Sequence, residues 1–190
     1  MTNKDKKPES AYSKRWVPVK EVVDKQYRKG RFNRMDMVMR LVVMENGGDW
    51  WKIYRKMQFV RIAKIREIRK DKFPPGFEKR RVVQFKALIE SMKEKGYDPE
   101  VKGIRLAKNM ELANGSHRLA CCIHFGIEKI LVKWPCDSTL PRRGYSLKWF
   151  HKHGFPLFVI KALEDRRVKM LKELGLKDRT TNDYYAKISS

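Results

Sequence analysis

The chain has 190 residues, of which 42% are hydrophobic and 35% are charged. This length favours one domain with additions at its ends over two full domains, and five Trp, nine Phe and nine Met suffice for a core. No stretch reaches the roughly 18 apolar residues of a membrane-spanning helix, and no signal-peptide pattern follows the first lysines. The three cysteines have no CxxC or zinc-like spacing, so we assign no metal-binding residues. We expect a cytoplasmic protein.

The net charge is strongly positive. Lys and Arg outnumber Asp and Glu by 45 to 22, which gives a formal net charge of +23. Two explanations stay open: a basic surface that binds nucleic acid through its phosphates, or a small phosphorylated ligand combined with a general basic bias. The charge is scattered along the chain without one long basic run, so it does not decide between them.

The first predicted elements form a helical N-terminal element over residues 16–72, preceded by a basic, disordered tail over 1–15. Pro18 within Trp16 to Val19 favours an edge strand. A helix is predicted from Asn33, as its N-cap, to Glu45, with Asp36 in the first turn where the helix dipole favours an anion.

The second predicted helix runs from Asp49 to about Lys70. Apolar residues recur every three or four positions from Trp50 to Val60, which predicts one buried face. The opposite face carries Lys52, Arg55, Lys56, Arg61 and Arg66. A solvated basic face is one interpretation; a phosphate-facing stripe interleaved with Trp51 and Tyr54 is the other.

A core follows over residues 73–136, and a loop, helix and tail follow over 137–190. The sequence Phe73-Pro-Pro-Gly76 ends the preceding helix, and a helix from Phe77 to Lys95 ends at Gly96. Glu78 lies in its first turn, where the dipole stabilises a carboxylate. Asp98 in the next turn, and Arg142 and Arg143 in the loop after the core, are weaker candidates for substrate contact.

A helix is predicted over Phe158 to Leu174, with a loose tail from Asp178.

Within the core the pattern predicts a hairpin, a short helix and a strand. The hairpin pairs Ile104 to Ala107 with Met110 to Ala113, the helix runs from about Ser116 to Phe125, and the strand covers Ile127 to Trp134. The loop Asn114-Gly-Ser-His-Arg118 therefore joins a strand to a helix N-terminus, whose first N–H groups and dipole favour anions. Arg118 adds a planar set of donors suited to phosphate, and His117 adds a titratable group. The same loop is also explained as a common Asn-Gly turn with Ser116 as a helix cap.

Gly115, Ser116, His117 and Arg118 at the start of a helix resemble the motif of the ParB/sulfiredoxin superfamily. In that superfamily the loop binds nucleotide phosphates, and the upstream helix resembles Val82 to Gly96 of this chain. The resemblance covers about 77–134. It implies an α/β (α+β) fold, with a small mixed sheet, flanking helices and an added helical N-terminal element.

The residues separate the branches of the superfamily in part. Sulfiredoxins have a cysteine where this chain has Ser116, so the resemblance does not imply sulfinic-acid repair. Chromosome-partitioning ParB proteins have an arginine pair in the loop and a longer DNA-binding region after it. Free-serine kinases have Asp-Gly-His-His-Arg and a catalytic glutamate before the upstream helix; Asn114 and Ser116 depart from that pattern, whereas Glu78 lies where the glutamate is expected. ParB-like proteins associated with surface-polysaccharide enzymes are also similar.

The resemblance implies a nucleotide-binding protein, with ATP or another nucleotide and Mg²⁺ as cofactors. Asn114 to Arg118 would hold the phosphates, and Glu78 and His117 would be the catalytic residues of a kinase that phosphorylates a small hydroxylated metabolite. The alternative, from a different class, is a ParB-like protein that binds or cleaves nucleic acid with its basic surface.

Overall fold

The computed structural model describes residues 13–68, 74–101, 103–135 and 144–180, with the backbone alone over 64–68. This part of the chain has a mixed α+β fold, in agreement with the prediction. The strands are β1 (Ser13–Pro18), β2 (Tyr27–Arg28), β3 (Arg31–Phe32), β4 (Ile104–Leu106), β5 (Leu112–Asn114) and β6 (Lys129–Trp134). The helices are α1 (Val19–Asp24), α2 (Met35–Asn46), α3 (Trp50–Ile68), α4 (Phe77–Lys95), α5 (Ser116–His124), α6 (Leu147–Lys152) and α7 (Leu157–Glu173). None of the helices in the described ranges combines the length and apolar character needed to cross a bilayer.

The main sheet is mixed, with the strand order β1-β6-β4-β5. β4 and β6 are parallel, and β1 and β5 pair antiparallel at the two edges. The edge position of β1 agrees with the interpretation of Pro18, because proline cannot donate to a neighbouring strand. The strand begins at Ser13 and pairs Arg15 with Val132, so the prediction of disorder is wrong for residues 13–15.

Helix α2 lies at the centre of the core. Nine consecutive residues, Met35 to Val43, are buried, because α3, α5 and α7 all pack around this helix. Such complete burial requires a helix that is apolar on nearly every side. Asn33 is not its N-cap: the cap position is Arg34, without a side-chain capping bond, and the Asn33 backbone instead bonds Gln26 and Tyr145.

Two charged residues of α2, Asp36 and Arg40, are fully buried. The Asp36 carboxylate contacts Arg34 Nε at 2.8 Å, Arg40 Nη1 at 3.0 Å and Arg61 Nη1 at 3.7 Å. These guanidinium groups hold the pKa of Asp36 well below its usual range, against the opposing effect of burial. Arg61 was predicted on the solvated face of α3; that is wrong, since its side chain is only 17% exposed and completes this network.

A second charge cluster fixes the segment after α7. Arg167, only 2% exposed, donates to both carboxylate oxygens of Asp178, at 2.7 and 2.8 Å, and also to Glu164. Arg179 bonds Asp24 at 2.7 Å. The expected loose tail is therefore wrong for residues 178–180; residues 181–190 lie outside the described ranges.

Asp36→Asn is expected to lower the free energy of unfolding by about 3–5 kcal/mol, because it leaves three guanidinium groups around an uncharged amide in the core. Urea denaturation followed by circular dichroism measures the change. Asp49→Asn is the control, because Asp49 and its partner Lys52 are 83% and 82% exposed. Equal midpoints for the two variants would contradict a stabilising role for the Asp36 network.

Candidate functional site

The motif loop turns at Gly115, which no other residue could replace without strain. Its φ of +99° lies in the left-handed region that favours glycine. A Cβ added there would lie 3.0 Å from the Ile104 Cα, closer than ordinary packing allows. The backbone of the loop therefore rests directly on the first residue of β4.

Helix α5 begins immediately after this glycine. Gly115 is the N-cap and offers no side-chain acceptor, and its carbonyl accepts the first helical bond, from Leu119 N at 2.9 Å. Asn114 Oδ1 accepts the Gly115 N–H at 2.8 Å, so this side chain shapes the loop itself. The predicted cap Ser116 is the first residue of the helix instead. The N–H groups of Ser116, His117 and Arg118 lie in the first turn, where a helix has no internal acceptor for them.

The His117 side chain points towards α3 and α4. Its Nε2 lies 2.5 Å from the hydroxyl oxygen of Tyr54 on α3, and its Nδ1 lies 3.2 Å from Nη2 of Arg81 on α4. Arginine can only donate, so Nδ1 accepts and Nε2 carries the proton that is donated to Tyr54. Phe85 packs against the imidazole with ring centroids 4.9 Å apart. Both ring nitrogens are thus engaged by neighbouring side chains.

The surroundings of His117 favour its neutral form. Burial, followed by the positive charges of Arg40, Arg81 and Arg61, holds the pKa of His117 well below its ordinary value. Burial also raises the pKa of Tyr54, although the same arginines oppose that change. At neutral pH this pair is therefore an uncharged imidazole and an uncharged phenol surrounded by guanidinium groups.

Arg118 acts on a different side of α5 from His117. Burial raises the pKa of Tyr97, and the charge of Arg118 opposes this rise in part. The Tyr97 hydroxyl accepts the Leu131 N–H of β6 at 3.0 Å. Cys121 and Cys122 on the same helix are fully buried, and burial raises the pKa of each to about 12. They pack as small apolar residues, as predicted, and not as reactive thiols.

Glu78 lies in the first turn of α4, with its side chain partly buried. Positions 78, 81 and 85 recur at spacings of three and four, so Glu78 shares one helix face with Arg81 and Phe85, both of which contact His117. The fold therefore brings the predicted glutamate to the side of α4 that faces the motif helix.

The remaining predicted site residues lie elsewhere or are not described. Asp98 is exposed and accepts the Glu100 N–H at 2.9 Å, which is the ordinary use of an aspartate in a turn. Arg142 and Arg143 lie outside the described residues. Among the described residues no three His, Cys, Asp or Glu side chains group as they would around a metal ion.

The sequence did not indicate that the polar surroundings of the motif would come from other helices. Arg40, Tyr54, Arg61 and Arg81 come from three helices outside the motif, α2, α3 and α4. Tyr54 was predicted on the buried face and is 0% exposed, so it does not belong to a phosphate-facing stripe on the surface of α3, which was the alternative interpretation. A charged residue within an otherwise buried helix, such as Arg40, was the available signal.

Gly115→Ala is expected to lower the free energy of unfolding by about 2–4 kcal/mol, because it combines left-handed strain with a contact against Ile104. Gly126→Ala is the matched control: its φ is +69°, but a Cβ there meets nothing within 4 Å, so about 1 kcal/mol of strain is expected. Thermal and urea denaturation measure both variants. Equal losses would contradict the close approach of the loop to β4.

The lowered pKa of His117 predicts a pH-dependent stability. In the unfolded chain the imidazole of His117 takes up a proton near pH 6.5, whereas in the folded chain it does so only at lower pH. The contribution of the neutral imidazole to the free energy of unfolding is therefore complete above about pH 6.5 and declines as the pH falls below that value. The slope is at most about 1.4 kcal/mol per pH unit. Urea denaturation between pH 7.5 and 5 should show a shallower profile for His117→Gln than for the wild type. Identical profiles for His117→Gln and the wild type would contradict the assignment.

Comparison with protein-family models finds no match, and the comparisons with curated proteins and with solved structures find none either. The relation to the ParB/sulfiredoxin superfamily stays a prediction that rests on the motif residues and on the order of the elements around them.

Proposed function

We propose that the loop from Asn114 to Arg118 binds the phosphates of a nucleotide, and that the protein transfers a phosphoryl group from it to the hydroxyl of a small metabolite. The observation that carries this proposal is the start of α5. The helix opens at a glycine without a side-chain cap, and Arg118 lies in its first turn. Backbone donors, the helix dipole and a guanidinium group at one point form a suitable arrangement for a phosphate.

The proposed chemistry asks little of the protein beyond positioning and charge. The acceptor oxygen attacks the terminal phosphorus, the bond from that phosphorus to the nucleotide breaks, and Glu78 takes the hydroxyl proton. The position of Glu78 on the same face of α4 as Arg81 supports this role. Magnesium would be bound mainly through the phosphate oxygens, as is usual for this ion.

The residues of the motif divide the work between backbone and side chains. The N–H groups of Ser116 and His117 would bind phosphate oxygens, and Arg118 would neutralise charge that develops during transfer. The His117 imidazole, with both nitrogens engaged, would hold the loop against α3 and α4. His117 is then a positioning residue, and its earlier assignment as a catalytic residue stays a separate prediction.

A thermal-shift panel with ATP, ADP, CTP and GTP in the presence of magnesium tests the proposal. A ligand that binds only the folded state raises the melting temperature, so one nucleotide should do so in the wild type and much less in Arg118→Ala. Glu78→Gln should keep the shift and lose phosphoryl transfer by about 10²- to 10⁴-fold. Arg80→Ala and Glu90→Gln, exposed positions on α4, are the controls. No shift with any nucleotide, or equal shifts in Arg118→Ala and Arg80→Ala, would contradict the proposal.

A nucleic-acid-binding function is supported by one specific observation. α3 packs against α4, and both present exposed basic residues, among them Lys52, Arg55, Lys79, Arg80 and Lys86. This function predicts binding to mixed-sequence DNA or RNA that weakens steeply with salt and is insensitive to Arg118→Ala. In the same assay, Arg55→Gln and Arg80→Gln would then weaken the binding of DNA or RNA.

A further inference from the structure

Positive charge is concentrated beside the motif helix. One buried carboxylate, that of Asp36, contacts Arg34, Arg40 and Arg61. Arg81 reaches the same region from α4 through a chain of contacts. Its Nη2 lies 3.2 Å from the imidazole of His117, which bonds the hydroxyl of Tyr54, and Arg40 lies 5.7 Å from the centroid of the Tyr54 ring. Three guanidinium groups therefore share one carboxylate and a fourth lies nearby, and this excess of positive charge favours the binding of an anion.

Several donors in this cluster have no acceptor among the described residues. Arg40 is 0% exposed, and it uses Nη1 for the carboxylate and the carbonyl of Asp36. Its Nε and Nη2 have no hydrogen-bond partner in the described part of the chain, and the same holds for the Nε of Arg61 and the Nε2 of Gln58. Buried donors without acceptors are costly, and charged ones cost most, so folds rarely retain them without a use.

Aromatic rings hold these guanidinium groups in place. Arg40 lies 5.7 Å from the centroid of the Tyr54 ring, and Arg61 lies 4.6 Å from that of Tyr145. Arg81 is fixed by its contact with His117. Groups held in this way lose little freedom when they bind a ligand, which favours binding.

Only part of the cluster can be reached from outside. Arg40 is enclosed, whereas Arg61 keeps 17% of its side-chain surface exposed and Arg81 is only partly buried. A ligand would therefore contact Arg61 and Arg81 directly, with Arg40 supplying positive potential behind them. Planar guanidinium groups suit the paired oxygens of a phosphate or a carboxylate.

We propose that Arg61 and Arg81, backed by Arg40, form a second anion site that binds the phosphate or carboxylate group of a small ligand. The site is built by α2, α3 and α4 and is separate from the backbone donors of the 114–118 loop. The proposal of this site does not depend on nucleotide binding or on phosphoryl transfer by the protein.

Isothermal titration calorimetry with inorganic phosphate, and in a second arm with acetate, tests the site at constant ionic strength with chloride as the reference. The wild type should show saturable binding of at least one of the two anions. Arg81→Gln should weaken that binding by at least about tenfold, whereas Lys93→Gln, which removes an exposed positive charge from the same helix, should change it less than about twofold. Tighter binding of phosphate would assign a phosphorylated ligand, and tighter binding of acetate would assign a carboxylate.

Arg118→Ala separates this inference from the nucleotide proposal. Anion binding that survives Arg118→Ala and is lost in Arg81→Gln supports the second site even if no nucleotide binds. Binding that is lost in Arg118→Ala and kept in Arg81→Gln would place the anion at the motif loop and overturn the inference. Equal weakening by Arg81→Gln and Lys93→Gln, or no saturable binding, would overturn it as well. Arg61→Gln, checked for folding by circular dichroism, should behave as Arg81→Gln does.

Discussion

The buried carboxylate of Asp36 is the interaction on which this architecture depends. It lies on the most enclosed helix of the described fold, and it can remain ionised there only because Arg34, Arg40 and Arg61 surround it. Arg34 also donates to the Leu112 carbonyl of β5 at 3.0 Å, and Arg61 comes from α3. One charge therefore fixes the central helix relative to the sheet and to the helix beside it.

This network reaches the motif through two side chains. Tyr54 of α3 and Arg81 of α4 contact His117, and burial together with the nearby arginines keeps the imidazole neutral. The motif helix thus has two sides with different chemistry. Its first turn offers backbone donors and Arg118, whereas the His117 side chain faces several guanidinium groups. An anion on either side would reduce the repulsion among these charges, which is why phosphate chemistry is the common theme of both proposals.

Long, periodic segments were the predictable part of the fold. Helices α3 and α4, the glycine stop after α4 and the motif order β4-β5-α5-β6 agree with the sequence to within a few residues. The short elements α1, α6 and the β2–β3 hairpin were not predicted, because two to six residues carry too little periodicity. The predicted Asn33 cap and the predicted solvated Arg61 were wrong for the same reason, which is that tertiary contacts outweigh local preference. The backbone of Asn33 bonds Gln26 and Tyr145, and the side chain of Arg61 pairs with Asp36.

By itself, the sequence determined the local conformations: a glycine turn at Asn114-Gly115, the helix that follows it, and an edge strand containing Pro18. It also determined that Glu78 lies in the first turn of a helix and that two adjacent cysteines are suited to packing. Only the tertiary structure decided which charges meet. Arg40, Arg61 and Arg81 are far apart in the chain and belong to three helices, and nothing in the spacing of three arginines among so many basic residues indicates that they converge. Electrostatic contacts depend on distance in space, whereas sequence patterns report the chain's local repeat, so a cluster assembled across helices becomes visible only in the folded molecule.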